Sequence, residues 1–263
     1  MSSYDAWADV YDLVYQDVKS DIPFYLEYAR QKGSPILEIA CGTGRVLIPL
    51  LEAGYEVWGI DSSPAMLAKA QCKISNLPEN VRNRVHLVQA DMRDFHLEMR
   101  FPLVLVPFRS FLLLLTVEDQ IQTLKNLRRH LKDEGILIID IFAPLHHYLA
   151  QDGRQTTSKI VNPENKHIIL RTDLVTYDHT HQLMDVDSIF DEYSEGETLI
   201  RSLHRSLKMR YIFRYEMEYL LRLSGLKMEA VYGTFDKKPH DYKAGEMIFV
   251  TAKARPLLTE ESG

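Results

Sequence analysis

The sequence is poor in the residues that mark secreted and membrane proteins. It contains two cysteines, Cys41 and Cys72, whose positions match neither a disulfide framework nor a zinc site. The longest apolar stretch, residues 101–117, is interrupted by a proline and an arginine, so it does not predict a membrane helix. The amino-terminal segment lacks the basic and apolar regions of a secretion signal. These absences favour a protein of the reducing cytoplasm that makes no membrane contact.

An excess of positive charge is also missing. Lysine and arginine together number 31 against 37 acidic residues, which gives a net charge of -6. This balance provides no electrostatic reason to expect nucleic acid as a partner. The hydrophobic fraction of 46% over 263 residues predicts a folded core, in one large domain or one domain with an insertion.

The first part of the chain alternates short apolar runs with helical patterns. Ser62 or Ser63, followed by Pro64, is a strong signal for the start of a helix. Buried parallel strands have few polar residues, and strand–helix alternation is typical of a doubly wound α/β sheet. The predicted strands are residues 36–40, 56–61, 85–91, 103–108 and 136–142.

The pattern changes after the fifth predicted strand. Residues 155–213 alternate apolar and polar side chains, which predicts antiparallel strands with one solvent-exposed face. A helix and two closing strands follow. We therefore predict a Rossmann-like, mostly parallel seven-stranded sheet formed by residues 1–149 and 214–256, with an antiparallel β insertion over 150–213. Residues 257–263 are expected to be a frayed tail.

A glycine turn joins the first strand to the next helix and indicates a ligand site. Gly42 and Gly44 allow the backbone to approach a ligand closely. Asp61 ends the second strand, and the carboxyl ends of parallel strands meet at one edge of the sheet. A carboxylate there can accept hydrogen bonds from both hydroxyls of a ribose. Leu47 stands where the dinucleotide fingerprint has its third glycine, which disfavours NAD without excluding it.

S-adenosylmethionine is the second ligand class that fits this pattern. It carries no phosphate, and it presents a charged amino group beside its adenosyl part. Glu38 lies within the apolar first strand, where a carboxylate is costly without a partner. We expect Glu38 to bind that amino group, directly or through water.

Three segments together resemble the cofactor motifs of class I S-adenosylmethionine-dependent methyltransferases: EIACGTGRV, GIDSSPAML and QADMRDF. The resemblance implies that the glycines line the aminoacyl end of the cofactor and that Asp61 binds its ribose. It also implies adenine contacts from Met66, Asp91 and Met92, and a backbone contact from Phe108. The residues expected at the cofactor are Tyr15, Glu38, Gly42, Gly44, Asp61, Ser62, Met66, Asp91, Met92 and Phe108.

Within this class, the chain is similar to N-methyltransferases of amino sugars and of glycine or sarcosine. This similarity implies an amino-terminal lid helix whose Tyr15 reaches the cofactor carboxylate. The insertion would shape the acceptor pocket or the interface of a homodimer. The expected activity is methyl transfer to a nitrogen, or an acidic oxygen, of a small molecule. An RNA or protein methyltransferase, and a cofactor-binding protein without transferase activity, are the alternatives.

Three residues are candidates for binding or activating the methyl acceptor. Arg109 follows the fourth strand and would bind an anionic group of the acceptor or pair with an acid. His146 and His147 follow the fifth strand, where a general base would be useful, although exposed loop histidines are common. No metal site is expected. An amine acceptor needs only its neutral form, so the reaction does not demand a dedicated base.

Overall fold

A computed structural model describes residues 5–196, 198–241 and 243–254. The predicted tail, residues 257–263, lies outside the described residues. The helices are α1 (Ala8–Val14), α2 (Ile22–Lys32), α3 (Leu47–Glu52), α4 (Pro64–Ser75), α5 (Glu79–Arg82), α6 (Val117–His130), α7 (His146–Leu149) and α8 (Arg214–Leu223). Short 3-10 turns cover Asp5–Trp7 and Ser110–Leu113. No helix in the described part of the chain is long and apolar enough to span a membrane.

Eleven described strands form two sheets. The strands are β1 (Ile36–Ile39), β2 (Val57–Asp61), β3 (Val85–Gln89), β4 (Phe101–Val106), β5 (Leu131–Phe142), β6 (Arg154–Val161), β7 (Ile168–Asp178), β8 (Leu183–Tyr193), β9 (Leu199–Arg210), β10 (Leu226–Tyr232) and β11 (Glu246–Lys253). The larger sheet has the order β10-β11-β5-β4-β1-β2-β3. All its pairings are parallel except those that β11 makes with β5 and β10.

The central strands are apolar because both faces of the larger sheet are covered. Leu37 and Ile39 of β1 belong to one hydrophobic cluster, whereas Ile36 belongs to another on the opposite face. β4 alternates in the same way, with Val104 on one face and Leu103 on the other. A sheet between two helical layers explains these near-continuous apolar runs. The α/β fold class predicted from the sequence is confirmed.

Local signals start the helices where the sequence places them. The Ser63 hydroxyl accepts a hydrogen bond from the backbone N–H of Met66 at 3.1 Å, and Pro64 occupies the first turn of α4. The Thr116 hydroxyl caps α6 in the same way, by accepting from the N–H of Asp119 at 3.1 Å. These caps fix α4 and α6 directly after the loops that face the carboxyl edge of the sheet.

The second sheet is antiparallel, with the order β6-β7-β8-β9. Its inner face packs on the amino-terminal segment, where Trp7 and Val10 share a hydrophobic cluster with Ile169 and Phe190. The rings of Trp7 and Phe190 meet edge to face, with centroids 5.7 Å apart. The sheet lies within the interval 150–213 that the sequence sets apart as an insertion. The division of the chain into a Rossmann-like domain and an insertion stays a prediction.

Candidate functional site

A cavity of about 720 Å³ opens at the carboxyl edge of the larger sheet. Its walls come from the loops after β1, β2, β3 and β4, and from the amino-terminal helix. The lining residues are Tyr11, Ala40, Gly42, Ile60, Asp61, Ser62, Met66, Ala90, Asp91, Met92, Arg93, Phe108, Ser110, Leu113, Leu114, Leu115, Thr116 and Asp119. A site of this size, at the edge where an α/β sheet binds its ligands, is large enough for a nucleoside derivative.

Asp61 ties two loops together at the floor of this cavity. One carboxylate oxygen accepts from the backbone N–H of Gly42 at 2.8 Å, and the other accepts from the N–H of Ser63 at 2.8 Å. Burial raises the pKa of Asp61, and the two N–H donors partly oppose that shift. A carboxylate has about four lone-pair directions. Asp61 therefore keeps acceptor capacity for the hydroxyls of a ligand.

The glycine turn serves two different purposes. Gly42 lines the cavity and adopts φ 55°, a left-handed conformation that glycine tolerates at little cost. Gly44 has φ 86° but does not line the cavity. A Cβ atom on Gly44 would lie 3.2 Å from the side chain of Ile48. The second glycine therefore allows close packing of the turn against α3, while the first gives ligand access.

Glu38 is the least satisfied acid of the site. It is 1% exposed, and its Oε2 atom has no hydrogen-bond partner. Burial raises its pKa well above the ordinary value, although the nearby Arg45 guanidinium acts in the opposite direction. A buried, unsatisfied carboxylate costs free energy, which a bound cationic group would recover. Together with Asp61, this orphaned oxygen fits a ligand that carries both ribose hydroxyls and an ammonium group.

Tyr15 and Glu38 lie outside the lining of the cavity: Tyr15 contacts it through Phe108, and Glu38 lies in β1, just before the lining residues Ala40 and Gly42. The Tyr15 ring packs edge to face on Phe108, with centroids 4.9 Å apart. The guanidinium of Arg45 lies 4.5 Å from the centre of the same Phe108 ring. Arg45 is held in turn by a bidentate ion pair with Asp21, at 2.7 and 2.8 Å. Phe108 is therefore fixed from two sides where it meets the cavity.

The amino-terminal segment is bound across the cofactor loops. The Asp12 carboxylate accepts from the Thr43 hydroxyl at 2.5 Å and from the Lys73 ammonium at 2.7 Å. Nearer the start of the segment, the Asp5 carboxylate accepts from the Ser63 hydroxyl at 2.5 Å. α1 thus lies against the loops around the cavity and contributes Tyr11 to its lining; its role as a lid stays a prediction.

The Asp12–Lys73 contact provides a test of this cover. Both side chains are more than a third exposed, so we expect only a small effect, about 0.2–1 kcal/mol, when the pair is broken. Asp12→Asn should speed dissociation of bound S-adenosylmethionine by about 1.5- to 5-fold at low salt. The difference between the variant and the wild type should shrink as salt rises. Stopped-flow measurement of ligand release is the readout.

Asp133→Asn is the matched control for this prediction. It removes an exposed ion pair with Lys253 at the opposite edge of the sheet, 2.9 Å long in the structure. Ligand release should be unchanged in that variant. Equal release rates in both variants would show that Asp12 does not hold the cover in place.

The three residues expected to act on the acceptor do not line the cavity. Arg109 forms an ion pair with Glu246 at 2.7 Å, and its guanidinium lies 5.7 Å from the ring centre of Phe142. His146 and His147 are exposed in α7, where the ring of His147 packs on Tyr148 at 4.1 Å. Of the ten residues expected at the cofactor, seven line the cavity: Gly42, Asp61, Ser62, Met66, Asp91, Met92 and Phe108.

Sequence reasoning missed polar residues at the site. Arg93 lines the cavity and pairs with Asp91 at 2.7 Å and with Asp119 at 3.3 Å. Hydrogen bonds from Arg93 lower the pKa of Asp91. Asp140 lies near the end of β5, 2% exposed, and accepts a hydrogen bond from the hydroxyl of Tyr25. An acid in an apolar strand was the signal that singled out Glu38, and the same signal was present for Asp140.

Comparison with known proteins places the cavity within a recognised domain. Residues 36–135 match the family model described as a methyltransferase domain. A putative methyltransferase of Bacillus subtilis, YqeM, is 36% identical over 144 residues, 52% of this chain and 55% of that protein. The cypemycin N-terminal methyltransferase of a Streptomyces species is 26% identical over 254 residues, 95% of this chain and 97% of that protein.

Other relatives match over a shorter part of their length. The glycine/sarcosine N-methyltransferase of Halorhodospira halochloris is 34% identical over 142 residues, which are 52% of this chain and 50% of that protein. The chain thus spans about half the length of most of the curated relatives that it matches.

Similarity to a solved structure extends over nearly the whole chain. The CcbJ methyltransferase of Streptomyces caelestis superposes with a TM-score of 0.81 at 24% identity, covering 97% of this chain and 99% of that one. At this identity, the likeness establishes the fold alone.

Proposed function

We propose that this chain, which carries a methyltransferase domain of the S-adenosylmethionine-dependent family, transfers a methyl group from that cofactor to an amine of a small acceptor. The resemblance predicted from the three motifs is confirmed by the family match over residues 36–135. The observation that carries the proposal is two buried carboxylates, Asp61 in the lining of the cavity and Glu38 in the strand behind it. Asp61 has acceptor capacity for a ribose, and Glu38 has an oxygen without a partner.

The residues would hold the cofactor as the sequence resemblance implies. Asp61 would accept from the ribose hydroxyls, and Glu38 would accept from the ammonium group. Met66, Asp91 and Met92 would surround the adenine, since all three line the cavity. When bound, the cofactor would supply an electrophilic methyl carbon for the acceptor nitrogen, with sulfur as the leaving group that keeps the electron pair of the carbon–sulfur bond.

The contribution of the chain is positioning and exclusion of water. Phe108 and Tyr15 place aromatic rings beside the cavity, and such rings stabilise a neighbouring cation. Holding two reactants in line removes much of the entropic cost of a bimolecular step. A neutral amine carries its own lone pair, so no general base is required. The exposed positions of His146 and His147 are compatible with this mechanism.

An amine acceptor is supported by the names of relatives. One is described as methylating glycine and sarcosine, and another as acting on the amino terminus of cypemycin. We infer that this chain accepts a primary or secondary amine on a small molecule. The antiparallel sheet β6–β9, which packs on the amino-terminal segment, would form the acceptor side of the site. A homodimer and a cytoplasmic location stay predictions.

The test is a transfer assay with isotopically labelled cofactor. The protein is incubated with free amino acids, an amino sugar, a short peptide with a free amino terminus, crude RNA and unmodified protein. Mass spectrometry then identifies which pool gains methyl groups. Label on the small amines is the expected result. Label confined to RNA or protein would overturn the small-molecule proposal, and tight cofactor binding without transfer to any pool would indicate a binding protein.

A further inference from the structure

Phe108, which lines the cavity, and the next residue, Arg109, have a strained backbone. Phe108 has φ 56° and Arg109 has φ 64°, both in the left-handed region. Residues with a side chain adopt this region rarely, because it is energetically unfavourable for them. Surrounding structure must hold such residues in place. Phe108 also lines the cavity, so whatever holds its backbone also fixes one wall of the cofactor site.

The holding group is Asp140, from the neighbouring strand β5. The backbone N–H of Phe108 donates to both carboxylate oxygens of Asp140, at 3.0 and 2.9 Å. The N–H of Arg109 donates to the Asp140 backbone carbonyl at 3.1 Å. The hydroxyl of Tyr25, a fully buried residue of α2, donates to the same carboxylate. Neither Asp140 nor Tyr25 lines the cavity.

We propose that Asp140 and Tyr25 are positioning residues, which hold Phe108 in its left-handed conformation and thereby set the affinity of the site for the cofactor. This inference rests on the proposed function, because it takes S-adenosylmethionine as the ligand of the cavity. The backbone of Phe108 is held by Asp140, and its ring is held by Arg45 and Tyr15. Removing the carboxylate frees the backbone and leaves the ring contacts as the remaining restraint.

The surroundings of Asp140 make its charge sensitive to pH. Besides Tyr25, it faces two further acids: Glu246 of β11, which is paired with Arg109, and Asp21, which is paired with Arg45. Burial, and then these like charges, raise the pKa of Asp140 to about 7, against the hydrogen bonds from Tyr25 and Phe108. The carboxylate form, which accepts from Phe108 with both oxygens, is therefore present above that pH.

Protonation has a definite direction of effect. A protonated carboxyl has one oxygen that donates, so its hold on the Phe108 N–H weakens. Cofactor affinity is then expected to fall as pH drops through about 7. By reciprocity, binding of the cofactor should release a fraction of a proton near neutral pH. Calorimetry in buffers of different ionisation enthalpy measures that release.

The decisive experiment compares S-adenosylmethionine binding by Asp140→Asn with binding by the wild type, from about pH 6 to about pH 8. The amide still accepts one hydrogen bond but cannot ionise. We expect about tenfold weaker binding at the upper pH, little change in kcat at saturating cofactor, and loss of the change in affinity centred near pH 7. Tyr25→Phe removes a donor to the carboxylate, so the midpoint should move to higher pH.

Glu38→Gln is the control for the other buried acid near the site. In this variant the affinity for the cofactor changes, but the midpoint of its pH dependence should stay near 7, because that midpoint reflects ionisation of Asp140. Wild-type affinity in a folded Asp140→Asn protein at every pH would overturn the inference. If that variant does not fold, an unmoved midpoint in Tyr25→Phe would overturn it instead. A wild-type protein that binds the cofactor but methylates no amine would refute the proposed function and leave this inference standing.

Discussion

Replacement of Asp61 by alanine is expected to weaken S-adenosylmethionine binding by about 1–3 kcal/mol, the cost of leaving polar groups without their hydrogen-bond partner. Two losses combine in this variant. The ribose hydroxyls lose their acceptor, and the N–H groups of Gly42 and Ser63 lose theirs. Because the second loss loosens both cofactor loops, the effect should lie towards the upper part of that range.

Isothermal calorimetry of the purified variant checks this result. Asp236→Ala is the control, since Asp236 is an exposed acid in the loop between β10 and β11 and does not line the cavity. It changes net charge by the same amount and should leave cofactor affinity unchanged. A folded Asp61→Ala protein with wild-type affinity would remove Asp61 from the proposed ribose site.

Replacement of Glu38 by glutamine is expected to change stability and binding in opposite directions. The ligand-free protein should become more stable, because a buried carboxylate with an unsatisfied oxygen is replaced by a neutral group. Cofactor affinity should fall by about 1.5–3 kcal/mol, because a charged acceptor for the ammonium group is lost. A residue with a purely structural role would not produce this opposition.

The pH dependence of stability gives an independent check on Glu38. Burial raises the pKa of Glu38 in the folded protein, so the folded state binds more protons than the unfolded state above the ordinary pKa. The stabilising contribution is present below the ordinary pKa and is lost as pH rises towards the folded pKa. Chemical denaturation of the ligand-free proteins should show this decline in the wild type and a reduced decline in Glu38→Gln.

Thr123→Val is the matched control for this pair of measurements. The Thr123 hydroxyl in α6 is also buried without a hydrogen-bond partner, and it does not line the cavity. Its removal should stabilise the protein without changing cofactor affinity. A Glu38→Gln variant that behaves like Thr123→Val would contradict the proposed role of Glu38 at the ammonium group.

The parallel half of the fold was predictable because its signals are local. Apolar runs such as residues 36–39 are buried on both faces, and Ser63 and Thr116 cap the helices that the sequence marks. The antiparallel sheet was predictable from period-two alternation. The packing of that sheet on Trp7 was not, because a contact between the start of the chain and residues 169 and 190 leaves no local pattern.

Within the site, the sequence located loops better than side chains. Gly42 and Asp61 lie where two strands end, and strand ends are predictable from the sequence pattern. The partner of Arg109 is Glu246, on a strand that is distant in sequence, so its ion pair leaves no signal in the motif. The left-handed backbone at Phe108 likewise depends on Asp140. Because neither Phe108 nor Arg109 is a glycine, the sequence does not predict a left-handed backbone there.

The amino-terminal segment is held between the cofactor loops and the antiparallel sheet. Below it, Asp12 is bonded to Thr43 and Lys73 in the cofactor loops; above it, Trp7 is packed into the sheet β6–β9. Exchange of the cofactor therefore requires the segment either to separate from that sheet or to move together with it. In the second case, the cofactor cavity and the acceptor side of the site would open and close together. Release of the demethylated cofactor would then be coupled to binding of the next amine.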